Sequence, residues 1–254
     1  MAKKLKTLVI SDIHGNADAL RAVINEEKNV DQSIFLGDAL LSGPQAQETA
    51  ELLHELDPDI CIMGNHDEEL LDPSIYAEWP AEWVAFNNAI IDSLTHDAIQ
   101  PFNDYLPSGQ YKLGSLEMYL HHGKTDSGSH AALPNATDDV LGTLDNHSGS
   151  PIVMFGHTHI QFTREVGKTT YINPGSVGQP RCGKLHACYG VFEGEQYFPR
   201  QVTYDPSGWL AALERMEALD PFPDFKKWIR DGLLNGFGIG ENEPWTQFAA
   251  EGYN

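Results

Sequence analysis

The chain has 254 residues, 41% of them hydrophobic, which fits a folded protein of one large α/β domain or two small ones. Its 37 acidic and 16 basic side chains give a formal net charge of −21. This charge argues against a broad basic surface for long nucleic acids or anionic membranes. No apolar run approaches membrane-spanning length, and the early run 7–10 is too short for a signal peptide. Together with three cysteines, an odd number, these features predict a cytoplasmic protein with reduced thiols.

Short apolar runs rich in β-forming residues recur along the first two-thirds of the chain and predict strands. They are Thr7–Ser11, Ser33–Leu36, Ile60–Met63, Leu116–Leu120 and Ile152–Phe155. Helical periodicity over Ala17–Glu27 and Gln45–Leu56 separates the first three runs. This alternation predicts a βαβ beginning with parallel strand pairing.

Two segments in the middle of the chain lack a strand pattern. Residues 74–106 are aromatic and helical in pattern, and they predict either a cap over the edge of the sheet or an ordinary pair of core helices. Residues 123–137 are polar and contain Gly and Pro, which predicts a loop. If this loop reaches a functional site, it brings His130 with it. Both segments are candidates for selecting a substrate.

The last third of the chain begins with a β-rich region, residues 161–204, which predicts a second sheet packed on the first. Residues 205–254 form a C-terminal segment. It contains two amphipathic helices, Ser207–Leu219 and Phe222–Leu234, and a tail from residue 236 that we expect to be weakly ordered. With no internal repeat and no long linker, we expect a single domain over residues 1–254.

Side chains that bind metals follow each of the five strand-like runs. In chain order they are Asp12 and His14, Asp38, the segment Asn65-His66-Asp67, the adjacent His121 and His122, and His157 and His159. Because the carboxyl ends of strands form the binding crevice in open α/β sheets, these loops should converge. Carboxylate, imidazole and amide ligands without a thiolate suit Mn, Fe, Zn, Co or Ni better than Ca or a structural zinc ion. Counting one of the two adjacent histidines and leaving out His66 and Asp67, seven candidate ligands remain. Seven are too many for one ion with an open coordination position, and they predict two ions.

The order of these motifs, namely DxH, GD, GNHD, a histidine before Gly, and GHTH, resembles that of the calcineurin-like metallophosphoesterase superfamily. The resemblance runs from Asp12 to about Arg181, and the segment 173–181 resembles the bacterial, phosphodiesterase-like branch. It implies an α/β fold, a four-layer αββα sandwich of two mixed β-sheets, followed here by the C-terminal helical segment.

The resemblance also implies a role for each matching residue. One ion would be held by Asp12, His14 and His159, the other by Asn65, His122 and His157, and Asp38 would bridge them. His122 is chosen over His121 because the ligand of the family directly precedes Gly. Asn65 would also bind substrate, and His66 would protonate the leaving oxygen. Asp67 either orients His66 or is a surface carboxylate, and Arg181 either binds phosphate or belongs to a structural turn.

The implied function is dimetal-dependent hydrolysis of a phosphate ester, with Mn as the favoured metal. A metal-bridging hydroxide would attack phosphorus in line, and two divalent ions with two aspartates and a hydroxide would leave a local charge of about +1. That charge, and the screening of distant acids, reconcile a small phosphorylated substrate with the acidic chain. We therefore expect the substrate to be a small phosphodiester or nucleotide.

Two alternatives remain beside this function. Phosphoprotein phosphatases of the superfamily carry GDxxDRG after the second strand, whereas this chain has Leu41 in place of the second Asp and Ser42 in place of the Arg. Protein dephosphorylation is thus disfavoured. The other alternative is a non-catalytic metal-binding scaffold for partner proteins, against which stand the complete ligand sets and an intact His66. The natural substrate and the oligomeric state are left open.

Overall fold

The computed structural model describes residues 4–125, 128, 131–238 and 244–254. It contains two five-stranded sheets, both mixed. The strands are β1 (Lys6–Ile10), β2 (Gln32–Phe35), β3 (Ile60–Cys61), β4 (Gly109–Leu113), β5 (Leu116–Leu120), β6 (Ile152–Met154), β7 (Phe162–Val166), β8 (Thr169–Asn173), β9 (His186–Glu193) and β10 (Gln196–Thr203). The first sheet has the order β10-β9-β1-β2-β3, with β1, β2 and β3 parallel, and the second has the order β4-β5-β6-β8-β7.

Helices cover the outer faces of both sheets. They are α1 (Ala17–Glu26), α2 (Ala46–Leu56), α3 (Asn65–Leu71), α4 (Ala81–Asp92), α5 (His96–Ile99), α6 (Asp138–Thr143), α7 (Ser207–Glu214), α8 (Pro223–Leu234) and α9 (Trp245–Glu251). Short 3₁₀ helices lie at Pro73–Tyr76, Gln100–Asp104 and Glu217–Leu219.

The alternation of side chains along each strand divides the core into three layers. On β1, Leu8 and Ile10 pack against α1, α2, α4, α7 and α8, whereas Val9 between them faces the second sheet. Likewise Met154 of β6 lies between the sheets, and Val153 packs outward with residues of α6 and α9. Full burial of one such side chain contributes about 1.5–3 kcal/mol to stability. The result is an α/β sandwich with helices outside two packed sheets, as predicted.

Most of the predicted elements are confirmed, but the allocation of strands to sheets differs in part. The first three runs are parallel strands of one sheet, while the fourth and fifth runs are β5 and β6 of the second. The region 161–204 is β-rich as predicted, yet only β7 and β8 join the second sheet, because β9 and β10 extend the first one antiparallel to β1. Strand β4, the partner of β5, and helices α3 and α6 were missed.

The segment 74–106 is helical, and it combines both expected roles. Phe86 and Ile90 of α4 belong to the core on the first sheet, whereas Trp79 and Trp83 line a cavity described below. The described parts of 123–137 lie outside helices and strands, as expected of a loop, and His130 lies outside the described residues.

The expectation of a weakly ordered tail is wrong for α9. Trp245 and Phe248 are buried in the core outside the second sheet, so apolar contact orders this helix in spite of its acidic, Gly-rich surroundings. Residues 239–243 lie outside the described part of the tail. Within the described ranges, no helix is both long and apolar enough to span a bilayer.

Candidate metal centre

The loops at the carboxyl ends of β1, β2, β3, β5 and β6 meet where the two sheets adjoin. Three groups of side chains there have potential ligand atoms within 4.8 Å of one another. The groups are Asp12, His14 and His159; His14, Asp38 and His66; and Asp38, His122 and His157. All seven of these side chains except His66, which is partly exposed, are buried. The structure therefore brings together the residues that the motifs singled out.

In the first group the ring nitrogens point at a common place. Nε2 of His14 lies 3.1 Å from Nε2 of His159, which in turn lies 3.3 Å from Oδ1 of Asp12. Nδ1 of His14 is 3.1 Å from the carbonyl oxygen of Leu41, and Nδ1 of His159 is 2.7 Å from that of Gln179. Because a carbonyl can only accept, each Nδ1 carries the proton and each Nε2 presents a lone pair. Two facing lone pairs and a carboxylate fit a cation held between them.

In the third group Asp38 takes the central place. Its Oδ2 lies 3.1 Å from Nε2 of His122 and 3.8 Å from Nε2 of His14, so this carboxylate is shared by two groups. Nδ1 of His122 lies 2.8 Å from the carbonyl oxygen of Leu36, which fixes this ring as well. The neighbouring His121 has another contact, since its Nδ1 accepts from the N–H of Gly123 at 2.7 Å.

Asn65 completes the predicted set. Its Oδ1 is buried and has no hydrogen-bond partner in the described part of the chain. A buried amide oxygen without a partner costs about 1–3 kcal/mol, and coordination to a cation removes that cost. The donor chemistry therefore fits two divalent cations with oxygen and imidazole ligands.

The backbone of these loops is unusual. Ten non-glycine residues in the described ranges have positive φ, and half of them are candidate ligands: Asp12, His14, Asp38, His157 and His159, with φ from 47° to 66°. Such residues are uncommon, and they cluster at functional sites where neighbouring structure enforces them. Glycine allows the loops to approach closely: a Cβ on Gly64 would collide with Oδ1 of Asp38.

The electrostatics favour a neutral ring for His14 and a cation near Asp38. Burial and the proximity of His159 lower the pKa of His14 to about 3, so this ring is a neutral ligand at physiological pH. Burial disfavours the charged form of His122, but Asp38 outweighs it and raises the pKa of His122 to about 10. Burial also opposes the ionised form of Asp38, yet His122 and His66 hold its pKa well below the usual range. Positive charge is therefore stabilised around an ionised Asp38.

The carboxylate that contacts the ring of His66 belongs to Glu69 and not to Asp67. Nδ1 of the ring lies 2.6 Å from Oε2 of Glu69, one helical turn further along α3. Burial disfavours its protonated form, but Asp38 and Glu69 outweigh burial and raise the pKa of His66 to about 9. Its backbone N–H donates to Oδ1 of Asp38 at 2.8 Å.

Asp67 has neither of the two roles considered for it. It is buried, and its carboxylate accepts from the N–H groups of Asp38, Ala39 and Gly64 at 2.8–2.9 Å. Burial and the nearby Asp38 raise its pKa to about 6. Asp67 thus joins the loop after β2 to the loop after β3, because two backbone segments share its oxygens.

A cavity of about 330 Å³ opens onto the ligands. Arg181 and Lys124 line it, together with Trp79 and Trp83. Arg181 is buried, its Nε has no hydrogen-bond partner in the described structure, and its guanidinium stacks 4.1 Å from the ring centroid of Trp245 in α9. Its Nη1 donates to the carbonyl of Thr158 at 3.5 Å, whereas Nε is left unused. A guanidinium with an unused donor beside a candidate metal centre is suited to bind an anion.

The sequence patterns assigned no role to Glu69 or Trp245, and they marked the segment 74–106 as a candidate for substrate selection without singling out its two indoles. The spacing of three between His66 and Glu69 was a usable signal, since it places both side chains on one face of a helix. The contact between Arg181 and Trp245 joins distant parts of the chain and left no local signal.

Comparison with known proteins identifies the family. The sequence pattern of the calcineurin-like phosphoesterase superfamily domain matches residues 5–196. The chain belongs to this superfamily. Membership confirms the resemblance read from the motifs, and it confirms the enzyme class, a phosphoesterase of a metal-dependent family.

Individual relatives share between 18% and 30% of their residues with this chain. The chain is 30% identical over 219 residues to an uncharacterised protein of Methanocaldococcus jannaschii, covering 74% of this chain and 83% of that protein. It is 22% identical over 205 residues to phosphodiesterase YfcE of Escherichia coli, and the match covers 75% of this chain and 89% of YfcE. A hypothetical protein of Pyrococcus horikoshii shares the fold with a TM-score of 0.75 at 18% identity, covering 92% and 99% of the two chains. A metallophosphoesterase of Sphaerobacter thermophilus shares the fold with a TM-score of 0.65 at 22% sequence identity, and the match covers 84% of this chain and 94% of that one.

Proposed function

We propose that this protein hydrolyses small phosphodiesters or nucleotides at a centre of two metal ions. The observation that carries the proposal is the position of Asp38, whose carboxylate is shared by two groups of ligands. The rings of His14, His122 and His159 each have Nδ1 close to a backbone carbonyl, and this contact is typical of histidines that bind a metal through the other ring nitrogen. The name of the relative YfcE, a phosphodiesterase, agrees with this reaction.

Each part of the site has a proposed role. Asp12, His14 and His159 would hold one ion and Asn65, His122 and His157 the other, with Asp38 shared by the two sets. Bound there, two divalent transition-metal ions lower the pKa of coordinated water and neutralise charge on the phosphoryl oxygens. Among Mn, Fe, Zn, Co and Ni we favour Mn.

The remaining residues act on the substrate. His66 donates a proton to the departing oxygen, and Glu69 holds the ring through Nδ1 at 2.6 Å. Arg181, which lines the cavity, binds a phosphoryl oxygen through its guanidinium, whose Nε has no other partner in the described structure. Asn65 contributes its amide group to substrate binding as well as to the second ion.

Several features favour a small substrate over a phosphoprotein. Leu41 and Ser42 stand where phosphoprotein phosphatases carry a carboxylate and an arginine, and the side chain of Leu41 is buried. In this chain the carboxylate beside His66 comes from Glu69 instead. The cavity of about 330 Å³ and the net charge of −21 fit a compact ester better than a long polyanion.

A substrate and metal panel tests the proposal. The protein is loaded in turn with Mn, Fe, Co, Ni and Zn, its metal content is measured, and hydrolysis of aryl phosphomonoesters and phosphodiesters is followed. We expect two ions per chain and hydrolysis of the diester. On an alkyl phosphodiester added to the panel, whose leaving oxygen needs a proton, His66→Ala should lower kcat by about 10²–10⁴ with unchanged metal content. Asp38→Asn should reduce the metal content itself.

The matched controls are His96→Ala and Asp97→Asn, since both side chains are largely exposed and neither lines the cavity. Both controls should keep full activity. Two bound ions without hydrolysis of any ester in the panel would contradict the proposal and favour the non-catalytic scaffold.

A further inference from the structure

Two tryptophans form one wall of the cavity at the metal centre. Trp79 lies in the turn before α4, and Trp83 lies in the first turn of that helix. Both line the cavity together with His66 and the ligands. Trp79 is 36% exposed even though its neighbours Tyr76 and Trp83 offer apolar surface. Its exposed indole surface is therefore available to a molecule in the cavity.

The wall stands on the same side of the site as His66. The ring of Trp79 is perpendicular to that of His66, with centroids 6.5 Å apart. In the proposed function His66 protonates the departing oxygen. The group that leaves with this oxygen therefore lies against the indoles.

Packing behind the wall holds the two rings in place. Trp83 contacts Phe225 and Trp228 of α8, with centroids 5.0 and 5.9 Å away. Tyr76 supports Trp79 at 6.0 Å and is itself fixed by a hydrogen bond from its hydroxyl to Asn88. Rings held in this way lose little conformational entropy on binding, so little of the stacking energy is spent on ordering them.

We propose that Trp79 and Trp83 bind a planar heteroaromatic group on the leaving side of the substrate, so that the substrate is a phosphate ester of a nucleoside. This inference rests on the proposed function, which supplies the orientation of the ester. The indoles stack on the base, while Arg181 on the same cavity receives the phosphoryl group. Stacking of a base on an aromatic side chain strengthens binding by about 5- to 150-fold and tolerates any base.

The test compares two ligands that differ only in the base. Adenosine 5′-monophosphate and ribose 5-phosphate are titrated by calorimetry into the metal-loaded protein. The ratio of their Kd values isolates the contribution of the base, because the shared phosphate and ribose serve as an internal reference. We expect adenosine 5′-monophosphate to bind about 5- to 150-fold more tightly to the wild type. Trp79→Ala should bring the ratio close to 1, and Trp79→Phe should keep part of it.

Phe198→Ala is the matched control. Phe198 is a partly exposed aromatic residue of β10 that neither lines the cavity nor packs against its two tryptophans. Its substitution should leave the ratio unchanged. A wild-type ratio near 1, or a ratio that survives Trp79→Ala, overturns the inference. The readout here is binding, whereas the proposed function is tested by hydrolysis of aryl diesters. If the protein hydrolyses the aryl diester but shows a Kd ratio near 1, this inference alone is overturned and the proposed function stands.

Discussion

Glu69→Gln separates the role of a positioning carboxylate from that of a metal ligand. Glu69 is almost fully buried, and its Oε2 lies 2.6 Å from Nδ1 of His66. Glutamine has nearly the same shape and keeps an oxygen that can accept from Nδ1–H, but it removes the negative charge. His66 then loses its charged partner while the seven proposed metal ligands remain unchanged.

The magnitude follows from the type of contact. Hydrogen bonds to charged groups contribute about 1.5–3 kcal/mol, and those between neutral groups about 0.5–1.5 kcal/mol. The difference is about 1–1.5 kcal/mol, which is about tenfold in rate. The ceiling is set by His66→Ala, because general acid catalysis supplies about 10²–10⁴-fold. Glu69→Gln should therefore reduce kcat by about tenfold, well short of the loss in His66→Ala.

The assay uses two esters with leaving groups of different basicity. A nitrophenolate leaves readily without a proton, whereas an alkoxide needs one. We expect Glu69→Gln to lose about tenfold in kcat on an alkyl ester, and much less on a nitrophenyl ester, with KM and metal content unchanged. The control is Glu68→Gln, the same substitution at an exposed position of the same helix.

Equal slowing of both esters in Glu69→Gln would refute the positioning role of Glu69. An equal loss, with fewer bound ions, would mean that Glu69 supports the metal centre and does not act through His66. Full activity on the alkyl ester would mean that His66 needs no partner.

Three further predictions follow from the loops and the tail. Arg181→Lys should raise KM by about tenfold with little change in kcat, because lysine cannot form the paired contacts of a guanidinium. Trp245→Ala should raise KM less strongly, because the indole that stacks on the guanidinium is then lost. Steady-state kinetics measure both changes. Asp67→Ala leaves three backbone N–H groups without their acceptor and should cost on the order of 3 kcal/mol, measured by urea unfolding, with Asp97→Asn unchanged. Chelation of two ions, each present at about 100-fold its Kd, should lower Tm by about 10–20 °C in a thermal scan, and Asp38→Asn should abolish that shift.

The parts of the site that could be predicted lie at strand ends. Each motif from Asp12 to His159 follows its own apolar run, and the topology of parallel strands brings the ends of such runs to one edge. Local sequence was sufficient for these residues. It could not assign the runs to sheets, because the period of a strand is the same in either sheet. This is why β9 and β10 were placed with the wrong partner strands.

Residues that act through tertiary contacts could not be found in the same way. Trp245 contacts Arg181 from a short helix near the end of the chain. The Gly-rich, acidic composition of the tail that contains this helix had favoured weak order. Trp79 and Trp83 fitted an amphipathic pattern, but the pattern cannot tell which aromatic rings face the core and which face a cavity. Glu69 lies between the residues that local sequence identifies and those that only tertiary contacts reveal. Its spacing of three from His66 becomes informative once α3 is known to begin at Asn65.

The strained loops explain why Asp67 is buried beside another acid. Each non-glycine residue in the left-handed region costs about 1–3 kcal/mol, and five ligands share that conformation. The sum, on the order of 5 kcal/mol or more, is comparable with the stability of a whole domain. Hydrogen bonds between the loops oppose this cost: the N–H groups of Ile13 and His14 donate to the carbonyl of Asp38, and the N–H of Asp38 donates to Asp67. Asp67 therefore stabilises the conformation that the ligands need, and this role is independent of any contact with substrate.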